Sequence, residues 1–341
     1  MKHKYWPDIV REVFPGAAVV DDALILPVTD AGWKLNLPAP KQFPWRNRDF
    51  RLVINLQDML HTGADDTLPA ELKTVHDFYS QFDFVDMNKI IVLAWPIGLK
   101  KDWNTHSSDT FNLIEFSSHT YETWCSYSAA EDVIREAFSR THKDFEFNYV
   151  CPQRLYKPHR AALHSSLDDR VGNISLQTKG IELKYPSLSV EEYDECYDNL
   201  ANLLAMKKNY NTSLFTVVSE SQYREEYGII TEKTFNAIVA GHPFLLCAHQ
   251  YALVQLQALG FITYNTLFDE TYDELDNVVR MKDMLDSNAH FIHERMSAVE
   301  MQDIYDQLDE TITYNRDYYF NHFGDQMVSE LRMELLDLWG K

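Results

Sequence analysis

The sequence predicts a two-lobed α/β protein in which each lobe is built around a largely parallel sheet. The chain has 341 residues with 45% hydrophobic content, enough to bury two cores. In its first half, short apolar runs alternate with longer amphipathic runs, as strands and helices do around parallel sheets. The strand, loop and helix order begins again near residue 145. We therefore expect lobes at residues 1–144 and 145–271, followed by an acidic helical tail at 272–341 that packs across both lobes.

The first lobe contains the pattern of three strands and two helices. Residues 69–82 place apolar side chains at helical spacing, which predicts a helix. A second helix is expected at 129–139, after an aromatic tract. Apolar runs typical of buried strands lie at 18–27, 51–56 and 89–94. Helices between successive strands favour parallel pairing.

The second lobe repeats this alternation. A strand is expected at 145–154, ending in a Pro-containing loop, with further strands at 172–177, 213–219, 243–248 and 261–264. Helices are expected at 159–167, 190–206, 231–240 and 252–259. Gly241 and Gly260 each follow one of these helices, at the position where glycine commonly ends a helix. The tail has helical periodicity and no strand pattern.

Composition argues against several classes of protein. The net charge is −21, with the acidic excess in the second half, which disfavours indiscriminate binding of polyanions. No apolar run approaches the roughly 20 residues of a membrane-spanning helix, and the start lacks a signal-peptide core, so we expect a cytoplasmic protein. The cysteines form no C-x-x-C pair and are expected to be reduced thiols: Cys125, Cys151, Cys196 and Cys247.

The most informative segment is residues 213–264. An apolar strand runs into Glu220, which places a carboxylate where open α/β sheets bind ligands. Thr231 is a candidate N-cap, with Glu232 and Lys233 in the first helical turn. Such a helix terminus suits a diphosphate, Lys233 adds a full charge, and Glu232 offers acceptors to ribose hydroxyls. The same residues are also ordinary capping chemistry with a solvated lysine, so the spacing alone leaves both interpretations open.

A family resemblance favours the ligand-binding interpretation. The match begins with residues 230–235, ITEKTF, and continues with Ala-Ile, Gly, Pro-Phe and Leu-Gly-Phe at matching positions through residue 261. Together these residues resemble the nucleotide-binding half of fucosyltransferase-like glycosyltransferases. That family has the GT-B architecture, two facing Rossmann-type lobes. The resemblance covers about 50 contiguous residues. It implies a supporting role for Glu220 and Thr231, ribose contact by Glu232 and diphosphate contact by Lys233, and it favours a GDP-linked sugar.

A second, shorter match lies at the start of the predicted C-terminal lobe. The family has an arginine there that opens a helix after a Pro-containing loop and reaches the donor phosphate. The run NYVCPQRLYKPHRAAL offers Arg160 in that role, with Arg154, Lys157 and His159 as neighbours. A bidentate arginine on phosphate is physically sensible, although a basic loop before a helix is also commonly solvated.

The N-terminal lobe would supply the acceptor pocket and, for an inverting transfer, a base that deprotonates the acceptor hydroxyl. The candidate base is Asp58, which follows the strand at 51–56, and His61 is the alternative. A capping role for Asp58 explains its position equally well. Trp95 and His106 follow the next strand and are candidate acceptor-lining residues.

Missing motifs narrow the chemistry. The chain has no D-x-D, the motif that holds a metal ion on the diphosphate in the other main glycosyltransferase architecture. Together with the resemblance, this implies a metal-independent transfer in which Arg160, Lys233 and a helix dipole neutralise the diphosphate. It also lacks G-x-G-x-x-G, a Walker A loop and H-E-x-x-H, which disfavours dinucleotide dehydrogenases, P-loop kinases and that class of zinc enzyme. No cofactor or metal is expected beyond the nucleotide-sugar donor.

The leading hypothesis is a glycosyltransferase that moves a sugar from a nucleoside diphosphate sugar to a hydroxyl of a glycan or small acceptor. One alternative acceptor is a hydroxymethylated base in DNA, as used by two-lobed phage enzymes; a phage member would act in the host cytoplasm. A groove with Arg46, Arg48, Arg51 and Lys100–Lys101 would favour that alternative. A noncatalytic nucleotide-binding or interaction protein is a second alternative, and a phosphorylase or epimerase a third.

Overall fold

The chain forms an α/β structure with two compact units, each containing a four-stranded parallel sheet. One unit comprises residues 1–122 and 324–341, and the other comprises residues 123–323. The computed structural model describes residues 6–20, 26–28, 32–34, 37–56, 70–94, 111–139, 143–153, 157–176, 199–221, 223 and 230–339. The predicted α/β class with parallel sheets is confirmed.

Within the described residues, the strands are β1 (Ala18–Val20), β2 (Leu26–Val28), β3 (Gly32–Lys34), β4 (Leu52–Asn55), β5 (Ile90–Ala94), β6 (Asn112–Glu115), β7 (Phe147–Gln153), β8 (Gly172–Leu176), β9 (Ser213–Ser219) and β10 (Phe244–Cys247). The α-helices are α1 (Trp6–Val13), α2 (Ala70–Ser80), α3 (Ser118–Ala129), α4 (Glu131–Ala137), α5 (Pro158–Ser166), α6 (Asn199–Ala205), α7 (Lys207–Asn211), α8 (Glu232–Val239), α9 (Ala252–Ala258), α10 (Asn277–Ser287), α11 (Ala289–His293), α12 (Ala298–Gln307), α13 (Asp309–Tyr318) and α14 (Gly324–Trp339). A π-helix, Tyr319–Phe323, joins α13 to α14.

The first unit is organised around the sheet β1-β4-β5-β6, in which every pair is parallel. Strands β4 and β5 are buried along their whole length, because a parallel sheet is covered on both faces and selects continuous apolar runs. Helix α2 contributes Leu72, Val75 and Tyr79 to the core at one side of this sheet. The Tyr79 hydroxyl donates a hydrogen bond to the Pro38 carbonyl at 3.1 Å, so its polar end is satisfied.

The second unit has the strand order β10-β9-β7-β8, again all parallel. The chain leaves β7 in one direction to form β8, then returns to the other side of β7 to form β9 and β10. The order therefore reverses between β7 and β9. In open α/β sheets such a switch point leaves a crevice beyond the carboxyl ends of the two strands, where ligands bind.

The C-terminal helices of the second unit hold α8 in place. Phe235 of α8 packs against Phe261 and against Tyr319 and Phe323 of the π-helix, with ring centroids 5.3 to 5.9 Å apart. The Tyr305 hydroxyl of α12 donates to the carbonyl of Gly241, just beyond α8, at 2.8 Å. The predicted helical tail is confirmed, since the described residues from 272 to 339 contain no strand.

Most predicted elements are confirmed over the residues that the structure describes. The strand expected at 18–27 is divided between β1 and β2, which belong to different sheets, and the helix expected at 190–206 is described only from residue 199. One predicted strand is wrong. Residues 261–264 form no strand, because the side chain of Asn315 bonds the backbone N–H and carbonyl of Ile262 at 2.8 and 2.7 Å, as a neighbouring strand otherwise would. Strand β6 was not predicted, and the aromatic tract before residue 129 forms most of α3. Gly241 and Gly260 have positive φ angles of 64° and 93°, as expected after a helix.

Gly172 at the start of β8 admits no side chain. A Cβ there would lie 2.1 Å from the ring of Tyr149, which is fully buried and is hydrogen-bonded through its hydroxyl to the Asp168 carbonyl. We expect Gly172→Ala to lower the free energy of unfolding by about 1–3 kcal/mol through overpacking. Urea denaturation checks this, with Gly16→Ala as the control, because a Cβ at Gly16 meets its nearest neighbour at 3.4 Å. Equal effects of the two changes would contradict the packing argument.

Candidate functional site

A pocket of about 240 Å³ lies at the switch point of the second unit. It is formed by the ends of β7 and β9, the start of α5, helices α6 and α7, and the first turns of α8. The described lining residues are Pro152, Lys157, Arg160, Asn199, Asn202, Met206, Tyr210, Thr216, Val218, Ser219, Ser221, Glu232, Lys233 and Asn236. All of them belong to one unit.

The carboxylate of Glu220 fixes the start of α8. Glu220 is 0% exposed, and its oxygens accept hydrogen bonds from the Thr231 N–H at 3.0 Å and the Thr231 hydroxyl at 2.5 Å. The Thr234 hydroxyl donates a third, at 2.6 Å. Donors thus surround a buried charge that would otherwise be costly. Glu220 does not line the pocket; it holds the helix terminus that does.

Thr231 is the N-cap of α8, as predicted, and its hydroxyl oxygen accepts from the Lys233 N–H at 3.5 Å. The ammonium of Lys233 lies across this first turn. It contacts the Ser221 hydroxyl and the Thr231 hydroxyl at 3.1 Å each, and the Glu232 carboxylate at 2.6 Å. A full positive charge therefore lies at the positive end of the α8 dipole.

The start of α5 brings further cations to the same place. The ammonium of Lys157 donates to the Ser221 carbonyl at 2.6 Å. The Arg160 guanidinium is 3% exposed and donates to the carbonyls of Ser219 and Glu220 at 3.4 and 3.3 Å. Burial lowers the pKa of Arg160, while the nearby Glu220 and Glu232 carboxylates raise it. An arginine keeps its charge under such opposing influences.

His159 also contacts the end of β9. Its Nε2 lies 3.1 Å from the Glu220 carbonyl, and because a carbonyl only accepts, this nitrogen carries the proton. The imidazole stacks on Tyr223 with ring centroids 5.3 Å apart. Three successive carbonyls at the end of β9, from Ser219 to Ser221, thus anchor the basic side chains of α5.

The interior end of the pocket has different chemistry. Asn199 and Asn236 present side-chain amides, and Tyr210 and Thr216 are almost fully buried. Behind them, the imidazole of His242 is completely buried, contacts the Tyr210 carbonyl through Nε2, and lies 3.1 Å from the Thr216 hydroxyl through Nδ1. Burial lowers the pKa of His242 well below its usual value, so the ring is neutral at pH 7.

The structure brings three of the predicted ligand-binding side chains together in the pocket: Arg160, Glu232 and Lys233. Glu220 and Thr231 lie directly behind them, hydrogen-bonded to each other. The predicted acceptor-side residues, Asp58, His61, Trp95 and His106, lie outside the described residues, as does Arg154. Their roles remain predictions.

Sequence reasoning missed the amide-lined interior end. Asn236 follows Lys233 by one helical turn and therefore shares its face of α8, which is a signal that could have been used. Asn199 and Asn202 share a face of α6 for the same reason. Tyr210 and Thr216 carried no signal, since only the fold brings them to this pocket.

The described residues contain no group of three or more His, Cys, Asp or Glu side chains arranged to hold a metal ion. Cys125, Cys151 and Cys247 take part in no disulfide bond, and Cys196 lies outside the described residues. Burial raises the pKa of Cys151 and Cys247 to about 12, so both remain protonated at neutral pH. Among the described helices, none combines the length and hydropathy required to cross a membrane.

Comparisons with protein-family models, with curated proteins and with solved structures found no match. The resemblance to fucosyltransferase-like enzymes therefore stays a prediction from the sequence. We therefore infer function from the geometry and charge of the pocket.

The Glu220 network makes a stability prediction. Each oxygen of the Glu220 carboxylate accepts from one backbone N–H group, that of Thr231 or that of Ser221. In Glu220→Gln the amide N–H group replaces one of these oxygens and faces a backbone donor, so at least one hydrogen bond is lost. We expect a loss of about 1–3 kcal/mol in the free energy of unfolding, measured by urea denaturation. Glu294→Gln is the matched control, because its side chain is 70% exposed. A neutral effect of Glu220→Gln would refute the structural role assigned to this carboxylate.

His249, just beyond β10 at the same edge of the sheet, predicts a pH dependence. Burial lowers its pKa to about 4, although its bond to Gln255 raises it. In the unfolded chain the His249 imidazole takes up a proton near pH 6.5, whereas in the folded chain it does not. The free energy of unfolding therefore keeps its full value above that pH and falls as the pH drops towards 4.

Between pH 6 and 4.5, the free energy of unfolding should fall less steeply with decreasing pH in His249→Gln than in the wild type. The two slopes should differ by up to about 1.4 kcal/mol per pH unit. Urea denaturation at several pH values measures this difference. His290→Gln serves as the control, because its imidazole is 63% exposed. Identical pH profiles for the wild type and His249→Gln would contradict the burial of a neutral imidazole.

Proposed function

We propose that the second unit binds the diphosphate of a nucleoside diphosphate sugar and that the protein transfers the sugar to an acceptor hydroxyl. One observation carries the proposal: Lys233, Arg160 and Lys157 meet the N-terminus of α8 in a pocket at the switch point of a parallel sheet. Helix N-termini with adjacent cations are suited to phosphate. The motif resemblance supports the same ligand and favours a GDP-linked sugar.

The roles follow from position. The ammonium of Lys233 and the guanidinium of Arg160 would stabilise the negative charge that develops on the departing diphosphate. Glu232, beside Lys233, would accept hydrogen bonds from the ribose hydroxyls. Because Lys233 contacts the Glu232 carboxylate at 2.6 Å, ligand binding would replace that ion pair, with phosphate on the lysine and ribose on the glutamate. Asp58 remains the predicted base for the acceptor.

The charge distribution favours a glycan or small acceptor over DNA. The net charge of −21 opposes approach to a polyanion. Of the basic residues that would form a DNA groove, Arg51 donates to the carbonyls of Arg48 and Phe50 at 3.0 and 2.9 Å and lies over the ring of Phe14. These contacts occupy part of its guanidinium. Strong, salt-dependent binding to DNA would reverse this preference.

Thermal shift with GDP, UDP, ADP and CMP tests the donor site. A ligand at about 100 times its Kd adds about 2.7 kcal/mol to the stability of the folded state, which raises the melting temperature. We expect one nucleoside diphosphate to produce a clear shift that Lys233→Ala abolishes. Lys282→Ala is the control, because it removes a lysine that is 78% exposed, pairs with Asp286 and does not line the pocket.

The corresponding nucleotide sugar should release its nucleoside diphosphate in the presence of an acceptor hydroxyl. Lys233→Ala should reduce this release by at least about 10-fold, as expected for loss of a charge that stabilises the leaving group. Binding without release in any acceptor screen would favour the noncatalytic nucleotide-binding alternative. No shift with any nucleotide, or equal shifts in Lys233→Ala and Lys282→Ala, would remove the proposal.

A further inference from the structure

We propose that the interior end of the pocket binds the nucleobase of the donor through the side-chain amides of Asn236 and Asn199. The inference rests on the proposed function, because it assigns the part of the nucleotide that the cationic end does not hold. It makes these two residues the determinants of which nucleotide the protein accepts.

The pocket extends inward from the phosphate-binding end. Thr216 lies three residues before Ser219 on β9, which places it about 10 Å back from the carboxyl end of the strand. Asn236 lies one turn, about 5 Å, beyond Lys233 on α8. Both Thr216 and Asn236 line the same pocket as Lys233. The pocket is therefore long enough to hold the group attached to a diphosphate as well as the diphosphate itself.

The two amides are fixed from behind by α3. The hydroxyl of Tyr127, which is fully buried, lies 2.5 Å from Asn236 Oδ1 and 3.1 Å from the backbone carbonyl oxygen of Asn199. Asn199 Nδ2 donates to the Thr123 hydroxyl at 3.0 Å. Because both asparagines contact the same hydroxyl, they are direct neighbours. Their orientation is set before any ligand arrives, which reduces the entropy lost on binding.

These anchoring bonds leave the amide nitrogen of Asn236 as a donor and the amide oxygen of Asn199 as an acceptor for a ligand. Asn236 uses Oδ1 towards Tyr127, and Asn199 uses Nδ2 towards Thr123. Within the described part of the chain, Asn236 Nδ2 and Asn199 Oδ1 have no hydrogen-bond partner. Nucleobases carry a donor beside an acceptor on one edge, which matches this pair. Met206 and Val218 supply apolar contacts for the faces of a flat ring.

The burial of the interior end indicates that it holds the nucleobase and not the transferred sugar. The acceptor must reach the anomeric carbon of the sugar, so the sugar has to lie at the accessible end. Lys233 at that end has a side chain that is 27% exposed. At the interior end, Tyr210 and Thr216 are 2% and 1% exposed, and Asn199 and Asn236 are half-buried. The interior end therefore suits the part of the donor that does not react.

The test compares three probes on purified full-length protein by isothermal titration calorimetry: inorganic pyrophosphate, the nucleoside diphosphate that shifts the melting temperature most, and its sugar conjugate. In Asn236→Ala we expect the affinity for the nucleoside diphosphate and for its sugar conjugate to fall about 10-fold, as for the loss of one buried hydrogen bond. The affinity for pyrophosphate should not change. Lys233→Ala should weaken all three.

Asn236→Leu keeps the approximate size of the side chain and removes the donor without adding a charge near the phosphates. It should weaken the nucleoside diphosphate and its sugar conjugate in the same way, which keeps the test valid if Asn236→Ala affects folding. Gln257→Ala is the control, because it removes an exposed amide that does not line the pocket. Unchanged nucleoside diphosphate affinity in both Asn236 variants, equal weakening of pyrophosphate, or an effect on the sugar conjugate alone would overturn the inference. A wild type that binds pyrophosphate and nucleotides equally would also overturn it, without removing the phosphate site. A wild type that binds none of the probes removes the proposed function as well.

Discussion

The buried carboxylate of Glu220 joins the end of β9 to the first turn of α8, and the geometry of the pocket depends on this contact. A charged group without exposure to water is costly unless donors surround it. Here the donors are the backbone and hydroxyl of Thr231 and the hydroxyl of Thr234, which belong to the helix that the carboxylate orients. Lys233 and Asn236 lie on that helix, so their positions in the pocket follow from the same interaction.

The basic side chains at the pocket contact neutral acceptors. Lys157 and Arg160 donate to backbone carbonyls at the end of β9, and Lys233 contacts the hydroxyl of Ser221 as well as the Glu232 carboxylate. Carbonyl and hydroxyl acceptors orient a cation without cancelling its charge. Among the described residues at the pocket, three cations, Lys157, Arg160 and Lys233, stand against the two carboxylates of Glu220 and Glu232, so the local field favours an anion although the protein carries a net charge of −21. Distant carboxylates oppose this field little, because charges are screened over about 8 Å at physiological ionic strength.

The sequence was sufficient to predict elements whose signal is local. Strand β9 has the limits expected from its apolar run, and Thr231 caps α8 as its residue type predicts. The strand expected at 261–264 failed because its hydrogen bonds are made by Asn315, more than 50 residues away in sequence. Strand β6 is four residues long, too short for its pattern to be distinctive.

In the site too, the parts with a local sequence signal were predictable and the others were not. The cationic end was predictable, since a strand end, an N-cap and a lysine follow one another along the chain. The interior end combines side chains from α6, α7, β9 and α8, and asparagine carries no motif of its own. Its donor and acceptor pattern arises from Tyr127 and Thr123 on α3, which no sequence spacing connects to α8.

A crystal structure of the protein soaked with the preferred nucleoside diphosphate tests the central claim most directly. The account predicts phosphate oxygens within about 3 Å of Lys233 Nζ, at the N-terminus of α8. It also predicts that the ion pair between Lys233 and Glu232 is replaced by ligand contacts. A nucleotide bound elsewhere on the protein, or an unoccupied pocket at saturating concentration, would contradict the account.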